Sequence, residues 1–479
     1  MQTLRKIALN TSFQIGGKII STVLGIAAVM IMTRYLGVEQ FGWYTTAVGF
    51  LQFIGLLSDF GFTVTTANML SEPTFEKNRL FNTLFTWRFL TALLFNGLAP
   101  ILIIFFPYPP QVKLAVIIAA ISFFALALNQ AFIGYYQAKI KTNFVAIGEI
   151  VGRIVLLIGV ILAFSFNWGF LWIMTIVALG SIINLFYLWH KSEAVHFSLD
   201  QEISRAIYKK IWPNATAVIF NAFYLQGDRV ILPLFVSQTL VGLYGAAYRV
   251  LDIVIQIATL IMGIMLPLIT FAWSRGQTEE FKERYRLAIN ISALVLFPLL
   301  VGIVIKAEPI MNFVASEKFV GSGNILRYLA LSILGICWGV TFGYTALAIN
   351  RQRRALWIYG SNAILSILGY FIFIPRFGVW GAVGVTIFSE IYSGLLLFIL
   401  VTQTSKVLPK FFTLGKIVLA SMLMGLVLIK LSTDSLFISI LIGILSYALL
   451  VLGLKIISWD IIKKIIFPNT VAEDSINKI

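Results

Sequence analysis

The chain has 479 residues, of which 59% are hydrophobic and 12% charged; a soluble domain carries about 25% charge, so a water-soluble globular protein is excluded and an integral membrane protein is implied. The formal net charge of +16 would suit nucleic acid only as a solvated basic face, and here the basic residues sit mostly in short connections between apolar runs, so no nucleic-acid partner is expected. One cysteine, Cys337, excludes an intrachain disulfide, and His190 and His196 alone give no imidazole-based zinc or catalytic site, so neither metal nor cofactor is expected.

Arg5 and Lys6 precede an apolar run that continues to about Tyr35. It is too long for the h-region of a signal peptide and lacks a clean small-residue cleavage site, so it reads as an uncleaved first span. About 20 apolar residues cross the roughly 30 Å hydrocarbon core. On that ruler fourteen spans follow, at 14–36, 41–68, 80–106, 111–135, 144–166, 168–189, 213–236, 240–270, 287–306, 322–349, 355–374, 378–402, 412–430 and 435–457. Each reads as a helix, because unpaired backbone groups cannot be left in lipid and the alternation of a barrel strand is absent. The expected fold is therefore an all-α integral membrane protein. Its parts would be a six-helix lobe over 1–190, a linker over 191–212, a second six-helix lobe over 213–402, and two further helices with a tail over 403–479.

The connections give an independent reading of the topology. With alternate loops assigned to opposite sides, 24 of the 36 Lys and Arg residues fall on the side of the N-terminus and 6 on the other. That asymmetry puts both termini in the cytoplasm. The tail residues Trp459, Lys463, Lys464 and Lys478 belong to this picture, the tryptophan as an interfacial anchor. Six cations fall within spans or at a span's first turn: Lys18, Arg88, Arg153, Arg229, Arg249 and Arg327.

In the linker, Ser198 and Gln201 have capping-box spacing, and Ile203, Ile207 and Ile211 repeat every four residues opposite Arg205, Lys209 and Lys210. The pattern predicts a helix on the cytoplasmic surface with its apolar side in lipid, the alternative being a solvated linker. Internal similarity supports two lobes. "FGWYTTA" at 41–47 and "VGLYGAA" at 241–247 match at an offset of 200, while Lys139, Lys141, Gly148 and Trp168-Gly169 match Arg351, Arg353, Gly360 and Trp380-Gly381 at 212. Units of six spans share one orientation, so the repeat axis runs along the membrane normal.

Ionisable groups at membrane depth are expensive and mark function or pairing. The cations Lys18, Arg88, Arg153, Arg229 and Arg249 are candidates to line a cleft between the lobes and to meet an anionic ligand. The acids Asp59, Glu149, Asp228, Asp252 and Glu390 are candidates for pairing or ion coupling. Glu149 and Arg153, four apart, and Arg249 and Asp252, three apart, can each bridge along one helix face, which a purely structural role explains equally well. Lys18 and Arg88 have no acid within reach on their own spans and read as unpaired, although Lys18 can also snorkel to the surface. Pro213, Pro267 and Pro298 read as loop-shaping residues near span ends, and Pro233 as a kink within the seventh span, structural or gating. No Walker-type phosphate loop occurs, so uphill movement would draw on an ion gradient or another protein.

The stretches "GGKIISTVLGIAAVMIMTRYLGVEQFGWYTTAVGFLQFIGLLSDFGF" (16–62) and "GDRVILPLFVSQTLVGLYGAAYRVLD" (227–252) resemble Wzx-type polysaccharide repeat-unit flippases. These form part of the polysaccharide-transport branch of the multidrug, oligosaccharidyl-lipid and polysaccharide exporter superfamily. The resemblance implies a non-enzymatic transporter of the bacterial cytoplasmic membrane. It would move an undecaprenyl-diphosphate-linked oligosaccharide to the outer leaflet by alternating access, in O-antigen, capsule or exopolysaccharide synthesis. Its partners would be membrane lipids and the polymerase and export machinery, and the five candidate cations would meet the diphosphate. The alternative within the superfamily is an ion-coupled multidrug antiporter. Its members commonly carry an acid in the first span, where this chain has none between Gln14 and Tyr35.

Overall fold

The computed structural model describes residues 2–72, 74–192, 195–431, 433 and 435–456. Trp459, Lys463, Lys464 and Lys478 lie outside the described residues. In chain order the helices are α1 (Gln2–Asp59), α2 (Phe62–Ser71), α3 (Lys77–Leu102), α4 (Pro110–Ala138), α5 (Thr142–Ser165), α6 (Phe170–Lys191), α7 (Gln201–Phe235) and α8 (Gln238–Ser274). They continue as α9 (Thr278–Ala315), α10 (Ser322–Leu329), α11 (Ser332–Ala348), α12 (Gln352–Phe377), α13 (Val379–Ser405), α14 (Phe411–Lys430) and α15 (Leu436–Gly453). The all-α membrane fold expected from the sequence is what forms, and no strand occurs among the described residues.

Eleven of these helices are long and apolar enough to cross a membrane, or twelve if α10 and α11, bent by 43°, make one span. The sequence predicts fourteen, and the difference has two physical sources. The first two expected spans are arms of one helix, α1, joined across Gly37. The expected seventh span lies in α7, which carries Gln226, Asp228 and Arg229 and is too polar to qualify by hydropathy.

Gly37 has φ 67° and ψ −174°, a conformation that disfavours any residue with a Cβ, and it redirects α1 without ending the chain's apolar run. A second break follows at Phe60 and Gly61, with φ 48° and 83°, separating α1 from α2. Breaks of this kind free backbone carbonyls that must find other donors inside the protein.

The described chain divides into two compact units. One comprises the chain up to Ala246 with Val314–Gly321 and Tyr359–Val385. Its core joins Phe62 of α2, Leu80, Phe81 and Phe85 of α3, and Phe132, Tyr135 and Tyr136 of α4. Ile203, Ile207 and Ile211 are buried in the same core, at 0%, 2% and 6% exposure. The expectation that this isoleucine face lies in lipid is therefore corrected. Each buried isoleucine contributes about 1.5 to 3 kcal/mol when withdrawn from water, and protein rather than lipid supplies the apolar surroundings here. The cap is also different from the one expected: Asp200 accepts the N–H groups of Glu202 and Ile203, both at 3.0 Å, while the Ser198 N–H donates to Thr86 Oγ1 at 2.9 Å. With that start, one unbroken helix runs from the linker through the expected seventh span, and Pro233 falls in its last turn.

The other unit comprises Ala247–Phe313, Ser322–Ile358 and the described chain from Thr386 onward. Within it α14 and α15 form a hairpin fastened to α9: Tyr447 donates to the Leu294 carbonyl at 3.0 Å, and Gly425 packs against Val301 and Ile305. Pro267 and Pro298 lie inside α8 and α9 rather than in loops.

Candidate functional site

The α1–α5 seam gathers three of the ten candidate residues. Gly17, Ser21 and Gly25 repeat every fourth residue along α1, a small-residue stripe that lets another helix approach closely. At Gly17 a side chain would come 2.5 Å from the Ala146 Cβ, so only glycine fits. On α5 the residues facing this stripe are Glu149 and Arg153, one turn apart. Lys18 Nζ donates to Glu149 Oε1 at 2.8 Å, and Ser21 Oγ donates to the same oxygen at 3.0 Å. The lysine is 37% and the glutamate 27% exposed, so the pair is accessible to a ligand.

Arg153 lies one turn along, with its guanidinium against Gly25. It is exposed and makes no hydrogen bond or ion pair with any described residue. Two expectations are corrected here. Lys18 is paired, through a tertiary contact 131 residues away in sequence, and Glu149 reaches across to it rather than along α5 to Arg153.

Arg88 is corrected in the same sense. It is 3% exposed and fully engaged. Its Nη2 lies 3.1 Å from Asp59 Oδ1, its Nη1 donates to the Ser58 carbonyl at 2.9 Å, and its Nε donates to the Ala127 carbonyl at 3.0 Å. Ser58 and Asp59 end α1 at the Phe60–Gly61 break, so Arg88 supplies donors that the interrupted helix lacks. Five N–H groups in a fixed fork make arginine suited to such a task.

Asp228 and Arg229 are buried, at 1% and 8% exposure. Tyr244 Oη donates to Asp228 Oδ2 at 2.6 Å, and Arg229 Nη1 donates to Gln52 Oε1 at 2.6 Å. Arg249 and Asp252, in the other unit, form the expected i,i+3 pair at 3.6 Å, about a quarter exposed. Glu390, also in that unit, is 8% exposed, and its backbone packs on Gly335. Among the ten candidate residues, those of the α1–α5 cluster combine an accessible ion pair with an adjacent cation that has no partner among the described residues. Its hydroxyl, Ser21, was not singled out from the sequence, nor were Gln52 and Tyr244; the Gly17-Ser21-Gly25 spacing was the signal for the first.

These helices form a fold shared with membrane transporters of known structure. The lipid II flippase MurJ in its inward closed conformation superposes with a TM-score of 0.77 at 18% identity, covering 91% of this chain and 97% of that one. An inward-facing multidrug resistance MATE transporter gives a TM-score of 0.68 at 13% identity, with 83% and 98% covered. A sequence model of the polysaccharide biosynthesis protein family matches residues 31–323, more than half of the chain, and the protein belongs to that family. The resemblance drawn from the 16–62 and 227–252 stretches is thereby borne out.

Among its relatives is the probable low-salt glycan biosynthesis flippase Agl15 of Haloferax volcanii, 24% identical over 186 residues, which are 39% of each chain. The teichuronic acid biosynthesis protein TuaB of Bacillus subtilis is 25% identical over 188 residues, 35% of this chain and 38% of that one. The succinoglycan biosynthesis transport protein ExoT of Rhizobium meliloti is 23% identical over 321 residues, 64% and 62%. The chain spans less than two thirds of the length of each of these relatives.

Proposed function

We propose that the protein is a flippase for a lipid-diphosphate-linked oligosaccharide, carried on undecaprenyl and moved from the cytoplasmic to the outer leaflet by alternating access. Family membership, the flippase and transport names of its relatives and the MurJ-like fold support a transporter rather than an enzyme. The observation that carries the ligand class is Arg153, an accessible cation without a partner beside the Lys18–Glu149 pair.

The cluster holds two cations and one carboxylate, a net surplus of one positive charge. In the empty site Glu149 occupies Lys18 as a built-in anion. An arriving diphosphate takes Arg153 through the planar fork that arginine presents to phosphate oxygens, and competes with Glu149 for Lys18. Ser21 then offers its hydroxyl to whichever anion holds the lysine. The other candidate cations have different places in this reading. Arg88 acts through the α1–α2 break it stabilises, and Arg229 and Arg249 contribute along the later path of the head group. Asp59, Asp228, Asp252 and Glu390 serve as their counter-charges or as coupling acids.

The test is surface glycan in cells carrying Arg153→Gln, with membrane insertion checked separately. Loss of glycan with normal insertion is expected; normal glycan would remove Arg153 from the site.

A further inference from the structure

The outer turns of α7 carry one exposed stripe whose chemistry changes in order along the helix. Glu202, Arg205, Lys209 and Trp212 are three, four and three residues apart, the spacing of a single helix face, with Tyr208 beside them. All five are exposed. The opposite face, Ile203, Ile207 and Ile211, is held in the core, so the stripe is fixed outward. Between it and Phe75 and Arg79 lies a cavity of about 620 Å³, also lined by Asp200 and Gln201.

One acid in this cavity is already matched. Asp200 caps α7 through Oδ1 and receives the Arg79 Nε at 2.6 Å on Oδ2. The side chains of Glu202, Arg205 and Lys209 have no hydrogen-bond or ion-pair partner among the described residues. Two cations and one carboxylate are therefore available, and they are ordered.

The helix sets their depth. At 1.5 Å per residue the 35 residues of α7 span about 52 Å, against a hydrocarbon core of roughly 30 Å, so its first turns project through the head-group layer. The stacked rings of Tyr208 and Trp212, 6.2 Å apart and 67% and 58% exposed, are of the type that settles at the hydrocarbon boundary. Measured from Trp212, Lys209 lies about 4.5 Å, Arg205 about 10 Å and Glu202 about 15 Å further out along the axis. Aromatic, cation, cation, carboxylate is the order in which a glycerophospholipid with a terminal amine presents acyl chains, phosphodiester and ammonium.

We propose that this groove is a binding site for an aminophospholipid of the ethanolamine type from the bulk bilayer, its phosphodiester on Arg205 and Lys209 and its ammonium on Glu202. The site is separate from the α1–α5 cluster and does not depend on the flipped substrate.

The experiment measures lipid retained by the full-length protein after purification from mixed micelles holding equal phosphatidylethanolamine, phosphatidylglycerol and phosphatidylcholine. Wild type is expected to retain phosphatidylethanolamine preferentially. Arg205→Gln with Lys209→Gln lowers retention of every phospholipid at the site by about 25-fold, at about five-fold per basic side chain near the surface. Glu202→Gln abolishes the preference for ethanolamine over glycerol while phosphate binding persists. A control pair with the same charge change, Arg353→Gln with Arg354→Gln, leaves retention as in wild type. Unchanged retention in the Arg205/Lys209 variant, or an equal loss in the control, would overturn the site. Full displacement by millimolar phosphoethanolamine or inorganic phosphate would overturn the lipid in favour of a soluble anion.

Discussion

Gly42 and Gly242 stand in reciprocal relation. A side chain at Gly42 would come 1.8 Å from the Gln238 carbonyl oxygen, and one at Gly242 would come 2.1 Å from the Val38 carbonyl oxygen. Both partners are related by the same shift of 200 residues, and between them Gly245 packs on Thr45, again 200 apart. Two helix starts therefore cross backbone to backbone about a local two-fold axis, and Thr46 Oγ1 reinforces the crossing by donating to Gln238 Oε1 at 2.8 Å. Even alanine at position 42 or 242 forces the crossing open. Each single variant is expected to lower stability by about 1 to 3 kcal/mol, the range for overpacking. The double variant should cost less than the sum, because one separation relieves both clashes. Thermal unfolding of the purified proteins measures this, and full additivity would contradict a shared contact.

Arg88 tests whether a buried cation serves the fold. Arg88→Ala leaves Asp59 without its counter-charge and the Ser58 and Ala127 carbonyls without donors, and about 3 to 5 kcal/mol of stability is expected to go with it. Arg88→Lys keeps the charge but cannot reach three acceptors at once, so it should recover only part of the loss. Unfolding midpoints of the two variants, with Asp59→Asn completing a cycle, give the coupling. A wild-type midpoint in Arg88→Ala would show that the break is held by something else.

The buried isoleucine face of α7 gives a contrast within one helix. Ile207→Ala removes a side chain from the core and is expected to cost about 2 to 5 kcal/mol. Tyr208→Ala, one residue on and exposed, should change stability by no more than about 0.5 kcal/mol. Equal small effects would return the isoleucines to lipid.

The α7 cap should respond to acid. The Ile203 N–H above all, then the Arg79 guanidinium and the Glu202 N–H, hold Asp200 below its ordinary value of 3.8, against a smaller opposing effect of desolvation. A folded value below the unfolded one means that the stabilisation is complete above 3.8 and is lost as pH falls through the folded value. The difference in unfolding temperature between wild type and Asp200→Asn is therefore expected at neutral pH and should close under acid. A difference that persists at low pH would show that it does not arise from the carboxylate's charge.

The all-helical membrane fold was legible because apolar length is a local signal, and two glycines matched at an offset of 200, Gly42 and Gly242, meet at one helix crossing. The site was legible only as a set of residue types. Lys18 looked unpaired because its partner, Glu149, is 131 residues away, and Arg88 because its acid sits on another helix; helical spacing carries no information about such contacts. Ile203, Ile207 and Ile211 gave the right amphipathic period, but period identifies a face and cannot distinguish lipid from protein as its environment. Asp200 displaced the expected Ser198 cap because Ser198 and its neighbours are bound along α3, a tertiary constraint no capping rule contains.

Transport by purified protein in liposomes tests the central claim most directly. A fluorescent lipid-diphosphate oligosaccharide and a cationic dye are presented to wild type and to Arg153→Gln. Wild type is expected to move the lipid-linked glycan and not the dye, and the variant to do so about ten-fold more slowly or less, as loss of a charged hydrogen-bonding partner implies. Movement of the dye alone, or equal glycan rates in the two proteins, would contradict the account.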